Sequence, residues 1–330
     1  MNRRTVKRTR ARVVLFSEIN SKFGYPFLRL LDNHACVSLV GLVTTRPGGR
    51  CSYFLGESHE VNLEQEARKR QVPVLRPVDV NDADSVAALR GRAADYFVVM
   101  NYQQILGKEL ITLPGTTAIN FHTSPLPEYA GLAPHFWMAK TGARTSGVTA
   151  HLVTPRIDAG PVVAQRMLTL SGSETALGIR EIHERACVRL LNELIPQLCL
   201  GRIESAEQDL SVRSYFGRPQ ERDYWLDLEG SVTDVLRTVR AGYRRPGAYA
   251  VTRAGSIVTV LSAVASPDMQ HVPAPPGITV RMAGAVHVRA GDGWVRILTI
   301  EEDGEEAPPG AVPDFLTEFR SRKEGIGVTA

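Results

Sequence analysis

An α/β fold on a mainly parallel sheet, followed by a smaller open β-barrel, is the architecture this sequence predicts. Three observations carry it. From Arg12 to Phe121, short runs rich in Val, Ile and Phe alternate with amphipathic helical stretches, the pattern of strand–helix–strand crossovers. From Ala250 onward the runs stay short and are separated by Gly and Pro turns, as in a small barrel. The 330 residues also exceed what one ordinary core occupies.

Strands are predicted at Val13–Phe16, Val37–Thr44, Val72–Leu75, Tyr96–Met100 and Thr117–Phe121, with helices at Tyr25–Asn33, Leu63–Gln71 and Ala83–Ala93. The sheet is Rossmann-like, yet no Gly-x-Gly-x-x-Gly follows its first strand, which argues against nicotinamide binding. Arg46–Arg50 reads as a turn, because no Lys-Ser or Lys-Thr follows to make a phosphate loop. Pro134–Lys140 reads as a short helix, and Gly147–Val153 with Val162–Leu168 as a hairpin. Ser171–Glu174 matches a capping box ahead of a long helix to Leu200 that carries His183, a side chain read as exposed or hydrogen-bonded rather than a ligand. The second part is expected to hold a helix at Val232–Ala241 and strands at Ala250–Val251, Ile257–Val264, Ala285–Val288 and Val295–Ile300, with Pro-rich loops at Asp268–Gly277 and Glu301–Val312. The organisation is then a basic tail (1–11), a main domain (12–201), a linker (202–219), a β-barrel, OB-like domain (220–315) and a tail (316–330).

The net charge of +4 is unevenly held: residues 1–12 carry six basic side chains and no acid, so the rest sums to −2. A solvated tail, rather than a nucleic-acid arm, is the reading of that leader. No run of about 18 apolar residues could cross a membrane, and the first residues lack the apolar core of a signal peptide. The four cysteines form no Cys-x-x-Cys pair and have no His at zinc-like spacing, so a reducing cytoplasm and no metal are expected. Cys187 and Cys199 read as buried thiols on the long helix.

Chemistry concentrates where the fifth strand breaks at Pro125 and Pro127. Asn120 and His122, two apart, share one face there, and Asp158 sits at the turn of the following hairpin. An amide, an imidazole and a carboxylate on two strand ends can make a site.

The run Asn-x-His-x-Ser-x-Leu-Pro-x-Tyr-x-Gly from Asn120 to Gly131, Gly-Val-Thr-x-His from Gly147 to His151, and Ile-Asp-Ala-Gly-Pro from Ile157 to Pro161 stand in order. Together they resemble the family of 10-formyltetrahydrofolate-dependent formyltransferases, whose acceptors include methionyl-tRNA, nucleotide amino sugars and hydroxyornithine. The resemblance covers roughly residues 12–201 well. It implies one-carbon transfer in which a neutral amine attacks the formyl carbon through a tetrahedral intermediate. Asn120 then donates to the oxyanion, a contribution of about 3 kcal/mol. His122 manages the amine proton or donates to the same oxygen, and Asp158 orients the ring and favours its protonated form. His151 is read only as a strand residue.

The resemblance further implies that Gln103, Gln104, Ile105 and Leu106 hold the pterin of the 10-formyltetrahydrofolate co-substrate, mainly through backbone, with Ile105 and Leu106 as an apolar wall. Thr154, Pro155, Arg156 and Ile157 form the loop that closes over it. Ser124, Tyr129 and His135 are expected acceptor contacts. Ser214–Pro219 and Pro246–Tyr249 resemble, more weakly, the β-barrel appendage of the methionyl-tRNA and amino-sugar enzymes. From Ala206 onward, however, 14 Lys and Arg face 17 Asp and Glu, a poor clamp for tRNA. The 46–57 loop lacks a Lys-rich insertion, and Ala130 stands where the family pattern has Arg. The expected partner is therefore a small-molecule biosynthetic amine, either a hydroxyornithine-type siderophore precursor or a nucleotide-linked amino sugar, with no DNA and no membrane involved. Methionyl-tRNA formylation ranks second. A formyltetrahydrofolate hydrolase, which would use the same three residues with water as acceptor but for which no regulatory domain is read before Arg12, and a non-catalytic folate-binding protein follow. The oligomeric state is left open.

Overall fold

The computed structural model describes residues 10–46, 49, 51, 60–244, 246–253, 255–302, 305–310 and 314–315. Most of the basic tail, most of the 46–58 loop and the C-terminal tail lie outside the described residues. The chain divides into two compact units. One comprises Met1–Gly131, Gly147–Leu168 and Ile182–Tyr215, the other Leu132–Ser146, Thr169–Glu181 and Phe216–Ala330.

The first unit is built on a seven-stranded sheet. Its elements begin β1 (Ala11–Phe16), α1 (Gly24–Asn33), β2 (Val37–Val43), α2 (Leu63–Lys69), β3 (Val74–Leu75), α3 (Ala83–Gly91), β4 (Tyr96–Met100), α4 (Lys108–Ile111) and β5 (Thr117–His122). In chain order there follow β6 (Ala130–Gly131), α5 (Pro134–Thr141), which belongs to the second unit, β7 (Thr145–Leu152), β8 (Val162–Thr169), α6 (Ala176–Leu200), whose first turn falls in the second unit, and β9 (Tyr215–Phe216). Spatial order is β3-β2-β1-β4-β5-β7-β8, parallel from β3 to β5 and antiparallel where β7 meets β5. The central strands are covered on both faces, so β4 is buried at all five positions and reads as an unbroken apolar run rather than an alternating one. Strand order reverses between β1 and β4, and the crevice beyond the carboxyl ends at such a switch is where open α/β sheets bind ligands.

Local chemistry explains the helix starts. Asn62 caps α2 by accepting from the Gln65 N–H, and Asp82 caps α3 through the Ser85 N–H. The Ser171–Glu174 segment departs from its predicted role. The Glu174 carboxylate accepts from the Ser171 and Gly172 N–H groups, closing a turn of its own. Thr175 then caps the helix by accepting from Gly178 at 3.1 Å, and α6 starts at Ala176. Cys187 on α6 is fully buried, as expected. Cys199 corrects its reading as a buried thiol: it is half-buried and disulfide-bonded to Cys36, 163 residues away, a proximity set by tertiary packing that sequence spacing cannot show. No helix among the described residues is long and apolar enough to cross a membrane.

The second unit holds α5 together with α7 (Val232–Gly242), β10 (Ala248–Val251), β11 (Ile257–Ala265), β12 (Thr279–Met282), β13 (Ala285–Arg289), β14 (Trp294–Glu302) and β15 (Glu305–Ala307). The strands form an antiparallel sheet ordered β10-β11-β14-β13-β12, with β15 on β14. It is open, with β10 and β12 ending the path among the described residues. Val235 and Val239 of α7 join Ala248, Val260, Val286 and Val295 in its core. The Glu301–Val312 stretch, expected as loop, gives β14 two more residues and supplies β15, because edge pairing supplies the ladder that Glu-Glu-Ala lacks by propensity. Lys140 of α5 donates to the Thr238 hydroxyl at 2.7 Å and to the Asp223 carbonyl at 2.8 Å, and burial lowers its pKa.

Candidate active site

Strand β5 alternates near its end. Ile119 and Phe121 enter the core, whereas Asn120 and His122 stay partly exposed on the opposite face. His122 has an acceptor at each ring nitrogen. Its Nε2 lies 3.2 Å from the Tyr129 carbonyl, and its Nδ1 lies 3.7 Å from Asp158 Oδ1. The carbonyl only accepts, so Nε2 donates to Tyr129, while Nδ1 faces the carboxylate beyond hydrogen-bond distance.

Asp158 is held at the turn between β7 and β8 in the left-handed region, φ 50°, a conformation Asp tolerates better than most residues. Its Oδ2 accepts from the Gly131 N–H at 2.9 Å. Gly131, at φ 99°, is a residue for which that conformation is free of Cβ strain. Burial is the largest influence on the Asp158 carboxyl and works to raise its pKa; His122, His151 and the Gly131 N–H together outweigh it and hold the group well below the usual carboxylate range. The result is a buried, ionised carboxylate.

His151, read from sequence as an ordinary strand residue, belongs to this cluster. It lies opposite Asn120 in the β5–β7 ladder, with its Nε2 3.5 Å from Asp158 Oδ1 and 3.0 Å from Asn120 Nδ2. Its Nδ1 is 2.9 Å from the Leu152 carbonyl, and a carbonyl only accepts, so Nδ1 is a donor. The link crosses two strands, so nothing in linear spacing discloses it.

A second missed element lies in the stretch read as a linker. Gln208 donates to the Asp158 and Gly160 carbonyls at 3.1 and 2.7 Å, and Ala206 exchanges backbone hydrogen bonds with Val162. Ser214 accepts the Tyr129 N–H on its hydroxyl and the Ala130 N–H on its carbonyl. Residues 206–214 thus strap both loops that carry the cluster. Gly160 is required by close approach, since a Cβ there would stand 1.9 Å from the Leu152 carbonyl oxygen. Gly160→Ala is expected to cost about 1–3 kcal/mol as the turn shifts and to lower activity with it; a urea midpoint equal to that of the parent would contradict this.

Residues 11–189 match the family model described as formyl transferase. The chain belongs to the formyl transferase family. Residues 220–316 match the model of the formyl transferase C-terminal domain. Among solved structures, it is similar to WlaRD, a sugar 3N-formyl transferase determined with dTDP and 5-N-formyl-THF, at 13% identity, TM-score 0.65, covering 87% of this chain and 97% of that one. An N-formyltransferase from Helicobacter canadensis, determined with folinic acid and dTDP-3-aminofucose, matches at 15% identity, TM-score 0.64, covering 86% and 98%. HypX from Aquifex aeolicus, determined with tetrahydrofolic acid, matches at 19% identity, TM-score 0.59, covering 90% of this chain and 46% of that one.

In this formyl transferase the segment after β4 is split in its exposure. Ile105 is 66% exposed, whereas the Leu106 side chain packs in the core with Val80, Val86 and Leu110, so only Ile105 of the two presents an apolar side chain to the rim. Gln104 Oε1 accepts from the Val80 N–H at 2.8 Å. The Gln103 N–H donates to Glu18 at 2.8 Å; burial pushes the Glu18 carboxyl up, opposed by that N–H and by Thr45. On the other loop, Thr154 donates to the Arg156 carbonyl at 3.0 Å and the Ile157 carbonyl accepts from Arg213, while Pro155, Arg156 and Ile157 are exposed. Ser124 is fully buried and its hydroxyl is spent on the Glu128 carbonyl. Tyr129 is partly exposed at φ 54°. His135 is buried on α5 in the second unit, beside Phe136, whose ring meets Trp137 and Tyr224. His183 is fully buried, its pKa pushed down to about 3 by burial and by the neighbouring His122, against a backbone hydrogen bond at Thr123.

Proposed function

We propose that this formyl transferase moves the formyl group of 10-formyltetrahydrofolate to the amine of a nucleotide-linked amino sugar, and that Asn120, His122 and Asp158 carry the chemistry. The observation that carries the reading is the ionised Asp158 carboxylate facing His122 and His151 beside Asn120. Formyl transfer to an amine develops negative charge on the carbonyl oxygen and releases a proton from nitrogen. The Asn120 amide donates to that oxygen once it leaves His151, and preorganised donation of this kind contributes about 3 kcal/mol. His122 receives the amine proton, with the carboxylate facing the imidazolium that forms.

The folate rings lie along the rim formed by the backbone of Gln103 to Leu106 and the exposed Ile105 side chain, under the Thr154–Ile157 loop. The acceptor reading is supported by the two sugar enzymes named above, which match this chain over nearly their whole length and were determined with dTDP or a dTDP-amino sugar. It is also supported by the acidic balance from Ala206 onward, which opposes a polyanionic acceptor such as tRNA. A cytoplasmic location follows from the co-substrate proposed. Incubation with 10-formyltetrahydrofolate and a panel of dTDP-amino sugars, hydroxyornithine and charged methionyl-tRNA is expected to yield a formylated amino sugar. Formylation of tRNA or hydroxyornithine alone would overturn the acceptor, and loss of formyl-folate without any acceptor would favour hydrolysis.

A further inference from the structure

Three soft donors converge at the amino end of β2, whereas the Asn120–His122–Asp158 cluster lies beyond the carboxyl end of β5. His34 ends α1 in an extended conformation, Cys36 immediately precedes β2, and Cys199 lies in the last turn of α6. The Cys36 carbonyl accepts the first N–H of β1, which fixes this corner at the amino ends of the central strands. His34 Nδ1 and the two sulfur atoms all lie within 4.8 Å of one another, and each residue is half-buried. Nδ1 is 3.3 Å from Cys36 Sγ and faces the Cys36 N–H at 3.4 Å. A nitrogen that accepts from an N–H carries a lone pair, and this one lies beside the Cys36 sulfur.

We propose that His34, Cys36 and Cys199 form a Zn²⁺ site when the Cys36–Cys199 disulfide is reduced. Tetrahedral zinc with ordinary Zn–N and Zn–S bonds sets its ligand atoms about 3.5 Å apart for a nitrogen–sulfur pair and about 3.8 Å for two sulfurs. The observed nitrogen–sulfur distance of 3.3 Å already matches. The cysteine Cα atoms are 5.9 Å apart, a separation from which side-chain rotation alone spreads the sulfurs. A d¹⁰ ion of borderline softness takes both an imidazole nitrogen and thiolate sulfur. Two thiolates also neutralise the ion, and partial exposure leaves room for water as the fourth ligand. The corner therefore alternates between a disulfide pin and a metal pin, each joining the end of α6 to the start of β2.

The chemistry balances with a named reductant. A water-soluble phosphine breaks the S–S bond and is oxidised to its oxide with oxygen from water, leaving two thiols; the metal ion then displaces one proton from each. The test uses the tag-free full chain, reduced with the phosphine, desalted without oxygen and titrated with Co²⁺ as a spectroscopic probe, followed by Zn²⁺. One Co²⁺ per chain is expected, with sulfur-to-cobalt charge transfer and tetrahedral d–d bands, both abolished by Zn²⁺. The unreduced chain should show none of these bands. Cys36→Ser and Cys199→Ser, each checked for folding by circular dichroism, should lose the two-thiolate charge transfer, and His34→Ala should shift the d–d bands to longer wavelength as water replaces nitrogen. Cys51→Ser should leave the spectrum unchanged. Absence of charge transfer in the reduced parent, its persistence in both cysteine variants, or an unshifted spectrum in His34→Ala would each overturn the site.

Discussion

Asp158→Asn is expected to lower formyl transfer by at least about a hundredfold, in line with acid–base contributions, with the fold intact. The substitution is nearly isosteric, and the amide oxygen can still accept from the Gly131 N–H that now meets Oδ2. What changes is the other end of the group. An NH2 replaces the oxygen that faces His122 Nδ1 and His151 Nε2, so a donor opposes two nitrogens that an imidazolium would also use as donors. The imidazolium at His122 loses its counter-charge at the moment the amine proton arrives. The expected signature is a fall in kcat with little change in the KM for formyl-folate, because the carboxylate acts on the proton rather than on the pterin. Near-normal turnover in the purified, folded variant would remove Asp158 from the mechanism.

The same substitution has a consequence for stability with a definite sign. The folded-state pKa of Asp158 is depressed below its ordinary 3.8. The stability it contributes is therefore present above about pH 4 and is lost as pH falls through the folded-state pKa, because the unfolded chain binds the proton first. Asp158→Asn carries no such component, so its unfolding midpoint should depend less steeply on pH below about 4 than that of the parent.

The parallel sheet was legible in the sequence because its strands are doubly buried and thus written as unbroken runs such as Tyr96–Met100, each closed by a turn signal. The residues proposed for the chemistry, Asn120, His122 and Asp158, stood out in the sequence because they sit in motifs where a strand ends or turns. His151 occupies a motif too, yet its role depends on cross-strand register with Asn120, which periodicity does not encode. Gln208 and Ser214 escaped for a related reason: a strap without strand or helix pattern reads as a linker, although its hydrogen bonds hold both site loops. Leu106 shows the converse limit. Two adjacent apolar residues suggested one apolar wall, and the chain direction after β4 sends one to the rim and the other to the core. Cys36 and Cys199 carry the point furthest, since 163 residues of chain separate two atoms that the packing of α6 on β2 brings into bonding distance.

His122→Ala is expected to be at least as damaging as Asp158→Asn, by at least about a hundredfold, and the pair of variants separates their roles. Removing the ring deletes a group that meets both the Tyr129 carbonyl and Asp158, and leaves Asp158 with His151 and the Gly131 N–H. If the carboxylate works through the ring, then the double variant His122→Ala/Asp158→Asn should be no slower than His122→Ala by itself, since the interaction being removed has already gone. Multiplicative losses would instead assign Asp158 an independent action, on folate or on the loop. Added imidazole supplies a second reading. The truncated side chain leaves a partly exposed space at the end of β5, and a diffusible base that enters it can take the amine proton. Partial recovery of turnover with imidazole, rising with the concentration of the neutral base and absent in Asp158→Asn, would place the proton on His122. Failure of rescue with an unaltered KM for both substrates would instead point to His122 as a donor to the oxyanion, a task that needs a fixed ring and that a free base performs poorly.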